Sequence, residues 1–505
     1  MKILVTIASY GSGNDPYLER LIAEYRSMPH QADIVVLSNI SKQMPAGVEL
    51  VVGMPTSDPW SLPFAHKQVL AERGEQYDLF IYSENDILIT SKNIDAFLWA
   101  TSVLPEDEIA GFLRTESGPG GQRYYPDVNK MYHWDPQSVA ERGHQLFAAF
   151  TCEHAGCYML TREQLRRAIA SGGFLVAPHQ GKFDLACTAA TDPYTQCGFR
   201  KAVCISNLDG FLVPHLSNKY VGTDYDLSGA DFDLQLEALC EIHEGRRSAA
   251  QLLNTETAFP LQKLSKSYYE PARQDILDLI PAEAETVLSL GCGWGELEGR
   301  LVKRGIRVTG VPLDSVISAC AEARGIATVT PNFEAAWKEL EKRKFDCVLL
   351  SNILHLVPDG CSILRECNRL LRDGGRILLI SPNFRYLKVA WQRMMARPQH
   401  EESRATDRTT KVGSKNESKG DWGVRFTTRQ LVLQWMKSCG LRVDQVVEVV
   451  PKRARPFSRL SKIARTYLSS EFLVLGHKAS ARQAATDSQS SEKRIASETA
   501  SIASA

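Results

Sequence analysis

The feature that most constrains this chain is Gly291-Cys292-Gly293-Trp294-Gly295, three glycines in five positions directly after the apolar run Val287-Leu288-Ser289-Leu290. A strand that ends in glycines and opens a helix brings backbone N–H groups close to a ligand at a helix N-terminus. Dinucleotide-binding loops need GxGxxG, whose third glycine lets the helix pack on the strand. Glu296 occupies that third position, which weakens a dehydrogenase reading. Apolar runs predict further strands at 306–311, 327–330, 345–350 and 376–381, with helices near 296–304, 315–323, 334–342 and 361–371 between them. Two last strands are expected at 443–450 and 472–476. This alternation is that of a parallel α/β sheet with strands added at its C-terminal end.

The spacing present is GxGxG, and the segment resembles the class I S-adenosylmethionine-dependent methyltransferases. Ser351-Asn352-Ile353-Leu354-His355-Leu356-Val357-Pro358-Asp359 matches the polar-apolar signature that this family carries on its fourth strand, and Leu371-Arg372-Asp373-Gly374-Gly375-Arg376 matches the turn into its fifth. The resemblance implies a Rossmann-like domain over 281–478. Its cofactor would be S-adenosylmethionine, bound by Ser289, Gly291, Cys292, Gly293, Gly295, Asp314 and Asn352. Two positions depart from the family. Ser289 stands where an acidic residue usually precedes the first glycine, and Pro312 stands where one usually ends the second strand. Asp314 could reach the ribose hydroxyls from the following loop, or could cap a helix before Val316. His355 is either a general base or a packed structural histidine.

Residues 1–230 alternate strand-like and amphipathic stretches and read as a second α/β domain. Its most informative segment is Leu79-Phe80-Ile81-Tyr82-Ser83-Glu84-Asn85-Asp86, an apolar strand that runs into two carboxylates. Carboxylates at the end of a buried strand are costly unless paired or metal-bound, and such oxygen ligands suit Mg²⁺ or Mn²⁺. The segment resembles the DxD motif of GT-A-type glycosyltransferases. The first strand, with Thr6, Ser9 and Tyr10, resembles the nucleoside-binding strand of that fold. The resemblance implies a GT-A-like nucleotide-sugar domain with a divalent metal on Glu84 and Asp86, and with His215 as a third ligand. It further implies a carboxylate base, for which Asp184 is the first candidate and Glu153 the second.

The chain has 505 residues, room for about three domains at ~150 residues each. Residues 231–280 read as a helical connector, and 479–505, rich in Ser, Ala and Thr, as a disordered tail. Lys+Arg and Asp+Glu both total 59, so no charge excess points to nucleic acid. Twelve cysteines without a CxxC pair point to a reducing cytoplasm and not to a disulfide scaffold or zinc site. No apolar run reaches the ~20 residues of a membrane-spanning helix. Basic residues interleaved with apolar ones at 385–397 and 452–468 would suit peripheral contact with the inner face of an anionic membrane, or simply a solvated helix face. The combined reading is a bifunctional glycosyltransferase and O-methyltransferase of glycan or surface-polysaccharide biosynthesis. Its partners would be a nucleotide-sugar donor and a glycan or lipid-linked saccharide acceptor. The alternative is a methyltransferase whose N-terminal domain binds a carbohydrate or nucleotide without catalysis.

Overall fold

The computed structural model describes residues 1–223, 227–395, 422–454 and 462–479. The chain divides into two compact units. The first holds residues 1–250, 258–269 and 315–320; the second holds 251–257, 270–314 and the chain from 321 onward.

In the first unit, β1 (Lys2–Ser9), β2 (Gln31–Ser38), β3 (Val48–Val52) and β4 (Leu79–Glu84) are parallel, and β5 (Cys157–Thr161) pairs antiparallel with β4. The sheet order is β5-β4-β1-β2-β3. Ile3, Leu4, Val5 and Ile7 of β1 are all fully buried, the mark of a parallel strand covered on both faces. One cover is α1 (Asp15–Ser27), which buries Leu18, Leu21, Ile22 and Tyr25 along one helical stripe. The strand order reverses between β1 and β4, so their carboxyl ends flank a switch point, where open α/β sheets bind ligands. Ala8 pairs with Glu84, so Ser9-Tyr10 and Asn85-Asp86 lie at the same level at the ends of β1 and β4.

Three more helices matter below: α2 (Ala65–Glu72), α3 (Leu185–Thr195) and α4 (Gly229–His243). The stretch expected as a connector, 231–280, is shared between the units. Helix α4 belongs to the first, where Phe232 stacks on Tyr125 with ring centroids 3.7 Å apart.

The second unit is built on β6 (Thr286–Cys292), β7 (Arg307–Pro312), β8 (Ala327–Thr328), β9 (Phe345–Ser351), β10 (Leu371–Pro382), β11 (Leu441–Val449) and β12 (Glu471–Lys478). Their order is β8-β7-β6-β9-β10-β12-β11. The first five are parallel, and β12 enters antiparallel between β10 and β11. Alternate residues feed two cores. Leu288, Leu290, Val348, Leu350 and Leu379 lie in one, with α6 (Gly360–Leu370) and α7 (Arg429–Ser438). Val287, Cys347, Leu349, Leu378 and Ile380 lie in the other, with α5 (Glu296–Lys303). Each such side chain contributes roughly 1.5–3 kcal/mol on burial, which fixes the register and hence the strand ends that carry the site. Among the described residues no helix is long and apolar enough to cross a membrane. The tail from 480, residues 396–421, which take in the end of the first basic stretch, and residues 455–461 of the second lie outside the described residues.

Candidate functional site

In the second unit the switch point lies between β6 and β9, which are neighbours with Leu290 opposite Leu350. The glycine loop leaves β6 and opens α5. Gly291 has φ +72° and Gly295, the N-cap of α5, has φ +83°, a backbone region that L side chains enter at a cost. A Cβ on Gly291 would stand 2.6 Å from Ile353 Cγ2, and one on Gly295 would stand 2.5 Å from Ile326 Cδ1. Only glycine fits at either end of the loop. Gly293, between them, is half-buried.

Cys292 is buried, and its carbonyl accepts from the Leu313 amide at 3.0 Å, tying the loop to the end of β7. Ser289 is buried, and its hydroxyl donates to Glu298 Oε1 of α5 at 2.7 Å. A carboxylate thus reaches the strand position where the family usually carries its own, but from the helix. Asp314 is fully buried in an isolated bridge with Gln251, beside a Leu252 N–H donating to Leu313 O at 2.8 Å. The loop after β7, from which Asp314 is expected to reach the ribose, is lined by a neighbouring segment, and the helix that follows begins only at Ile317.

Asn352, just past β9, has φ +52°, a strained conformation of the kind that collects at functional sites. Its amide Nδ2 lies 3.4 Å from Glu270 Oε1, and Ser351 donates its hydroxyl to Glu270 Oε2 at 2.9 Å. Trp294 Nε1 donates to the carbonyl of the same Glu270 at 2.9 Å. Glu270 therefore spans the glycine loop and the end of β9, a placement that no motif in the sequence announced. His355 is buried, with its ring 6.0 Å from that of Phe384. The backbone loop, the polar groups of Ser351 and Asn352, the Glu270 carboxylate and the apolar Leu313 and Ile353 fit S-adenosylmethionine, which carries a charged amino-acid end, a ribose and a flat base.

In the first unit the sequence-predicted residues gather at the ends of β1 and β4. Thr6 is buried and its hydroxyl donates to Ile81 O at 3.1 Å, so it serves the sheet. Ser9 accepts from Asn85 Nδ2 at 2.9 Å and from Lys42 Nζ at 2.8 Å. Tyr10 is half-exposed, at 53%. Asn14 donates to Asn85 Oδ1 at 3.0 Å and lies 3.4 Å from Asp86 Oδ2.

Both carboxylates of the triplet have histidine partners. His154 Nε2 is 3.4 Å from Glu84 Oε1, and His215 Nε2 is 3.1 Å from Asp86 Oδ2. Burial tends to raise the Glu84 pKa, but the His154 bond, with the charges of Arg114 and Lys219, holds it down to about 2. His215 Nδ1 lies 2.5 Å from buried Glu116 Oε1, so Glu116, His215 and Asp86 form one line. Arg114 and Glu116 are buried alternate residues of the strand Leu113–Ser117, and Arg114 is paired with buried Asp127 at 2.6 Å. No three His, Cys, Asp or Glu side chains among the described residues converge as a metal site by themselves.

The two candidate bases each have a partner. Asp184 caps α3, accepting from the Cys187 amide at 2.9 Å. Glu153 is ion-paired with Lys182 at 3.0 Å. Burial, and then the charges of Glu84 and Asp184, push the Cys187 thiol pKa well up.

A model of the family described as methionine biosynthesis protein MetW matches residues 271–405. A ubiquinone biosynthesis O-methyltransferase of Albidiferax ferrireducens is 31% identical over 111 residues, covering 21% of this chain and 44% of the relative. One from Paracidovorax citrulli is 30% identical over 120 residues, covering 22% and 50%. The chain thus spans about half the length of the curated relatives it matches. A solved S-adenosylmethionine-dependent methyltransferase of Mesorhizobium loti is 18% identical, covering 40% of this chain and 96% of its own, with a TM-score of 0.28. Strand order, glycine loop and sequence similarity agree that the second unit has a class I methyltransferase-like fold.

Proposed function

We propose that the second unit transfers a methyl group from S-adenosylmethionine to an oxygen, and that the first transfers a sugar from a nucleotide donor. On this reading the two steps act in sequence on one glycan or lipid-linked saccharide. The observation that carries the methyl-transfer reading is the glycine-only loop of β6 facing Ser351, Asn352 and Glu270. The bound cofactor would supply an electrophilic methyl on its sulfonium. The chain's part is to hold it by loop amides and polar side chains and to keep water away with Leu313 and Ile353. Similarity to O-methyltransferases supports oxygen as the acceptor atom.

The glycosyl-transfer reading rests on the convergence of β1 and β4 on Ser9, Asn85 and Asp86 at a switch point. Asp86 and His215 would hold a divalent metal, with Glu116 orienting the His215 ring through Nδ1. A two-ligand site suits Mg²⁺ or Mn²⁺ completed by phosphate oxygens. Asp184 and Glu153 remain the carboxylates proposed as base. One observation favours the second reading, in which this unit binds a carbohydrate or nucleotide without catalysis: Glu84 and Asp86 already have His154 and His215 as partners. A cytoplasmic enzyme touching the inner face of an anionic membrane is supported by exposed Leu387 and Trp391, one helical turn apart near Arg385 and Lys388.

The test is intact-mass analysis of acceptor glycans after incubation with a nucleotide-sugar panel and S-adenosylmethionine. A hexose-like and a methyl mass gain are expected, and only the first should vanish in chelator or with Asp86→Asn. A methyl gain alone under every condition would select the second reading.

A further inference from the structure

Glu270 places a carboxylate in the crevice between β6 and β9. One oxygen accepts from Ser351 Oγ at 2.9 Å and the other lies 3.4 Å from Asn352 Nδ2. Its own carbonyl accepts from Trp294 Nε1 at 2.9 Å, which fixes its backbone to the glycine loop. The carboxylate is thus held from the β9 side and the backbone of the same residue from the glycine loop. Meanwhile the strand position that could otherwise present a negative charge is Ser289, whose hydroxyl is turned to Glu298. The nearby acid Glu471 is engaged by Arg273. Glu270 is therefore the carboxylate that bonds to the first two residues at the end of β9.

We infer that Glu270 is a cofactor-binding residue whose carboxylate takes the α-ammonium of the methionyl end of S-adenosylmethionine. The inference rests on the methyltransferase reading and deepens it. A carboxylate at a crevice mouth recognises a cation by charge-assisted hydrogen bonds, which are roughly twice as strong as neutral ones. Ser351 and Asn352, which hold the carboxylate, keep it aimed. Asn352 does so from a backbone conformation with φ +52°, which turns its side chain at the very end of the strand.

The test is calorimetric binding of three probes to the full chain. S-adenosylmethionine carries an ammonium and a sulfonium, S-adenosylhomocysteine only the ammonium, and 5′-methylthioadenosine neither. Glu270→Gln keeps the shape and one acceptor oxygen but removes the charge. It should weaken the first two probes by at least about tenfold each, the scale of one hydrogen bond to a charged group, and leave the third within about twofold. Glu270→Asp should recover most of the loss. Loss of S-adenosylmethionine alone would assign the carboxylate to the sulfonium and overturn the proposal. Equal loss of all three probes would mark a structural residue, and no loss would remove any role; either result overturns it. A wild-type chain that binds none of the three overturns the underlying reading, and the proposal with it.

Discussion

The glycine at the end of β6 offers a perturbation whose size can be worked out. Gly291→Ala meets two costs. Its φ of +72° lies in the left-handed region, where an L residue loses roughly 1–2 kcal/mol. Its new Cβ would also stand 2.6 Å from Ile353 Cγ2, about 1 Å inside a normal carbon–carbon contact. Ile353 is fully buried between neighbours, so overpacking should add about 1–3 kcal/mol. The sum is about 2–5 kcal/mol of lost stability in the second unit. Gly374 is the internal control: its φ is +76°, but nothing lies within 4 Å of its Cβ position, so Gly374→Ala should cost only the strain. Urea titration of the two full-length variants, with hydrogen exchange at Val287–Leu290 as the local readout, separates the terms. Equal destabilisation by both variants, or a loss below about 1 kcal/mol at Gly291, would refute the close packing assigned to the loop.

Two predictions concern the first unit. Glu84 has a folded pKa near 2 against an ordinary 4.5, so its contribution is fully present above pH 4.5 and is lost as pH falls towards 2; at most about 3 kcal/mol is involved. Stability-versus-pH curves of wild type and Glu84→Gln should therefore diverge in that window, and parallel curves would contradict the His154 pairing. Lys67 of α2 and Asp192 of α3 form a fully buried ion pair, with His179 Nε2 3.4 Å from the same carboxylate. Lys67→Met should cost about 3 kcal/mol or more by stranding Asp192, and Lys67→Met with Asp192→Leu should recover most of it. Denaturation midpoints decide, and a harmless single variant would sink the argument.

Much of the second unit was legible because a strand buried on both faces is a plain apolar run. Val287–Leu290 and Phe345–Leu350 give themselves away, and the three glycines mark the turn between strand and helix. The partners that complete each site were not legible. Glu84 and Asp86 look unpaired in sequence, with no basic residue between Asp78 and Lys92, yet His154 and His215 arrive from 70 and 129 residues away. Arg114 and Glu116 carried one faint signal, since alternate charged residues on a strand share a face. Asp314 looked like an open-loop residue because nothing local announces that Gln251 pairs with it. Glu270 sits in Tyr268-Tyr269-Glu270, where neither periodicity nor motif singles it out; only the fold brings it to Ser351.

The most direct measurement is calorimetric titration of the full chain with S-adenosylmethionine, in wild type and in Gly293→Val. The glycine loop predicts one site in the wild type. It also predicts a loss well beyond tenfold, ~1.4 kcal/mol, once a branched side chain fills the space at the loop's centre, while Gly374→Ala binds as wild type does. A wild-type chain that takes up no S-adenosylmethionine, or a folded Gly293→Val protein that binds it unchanged, would contradict the account.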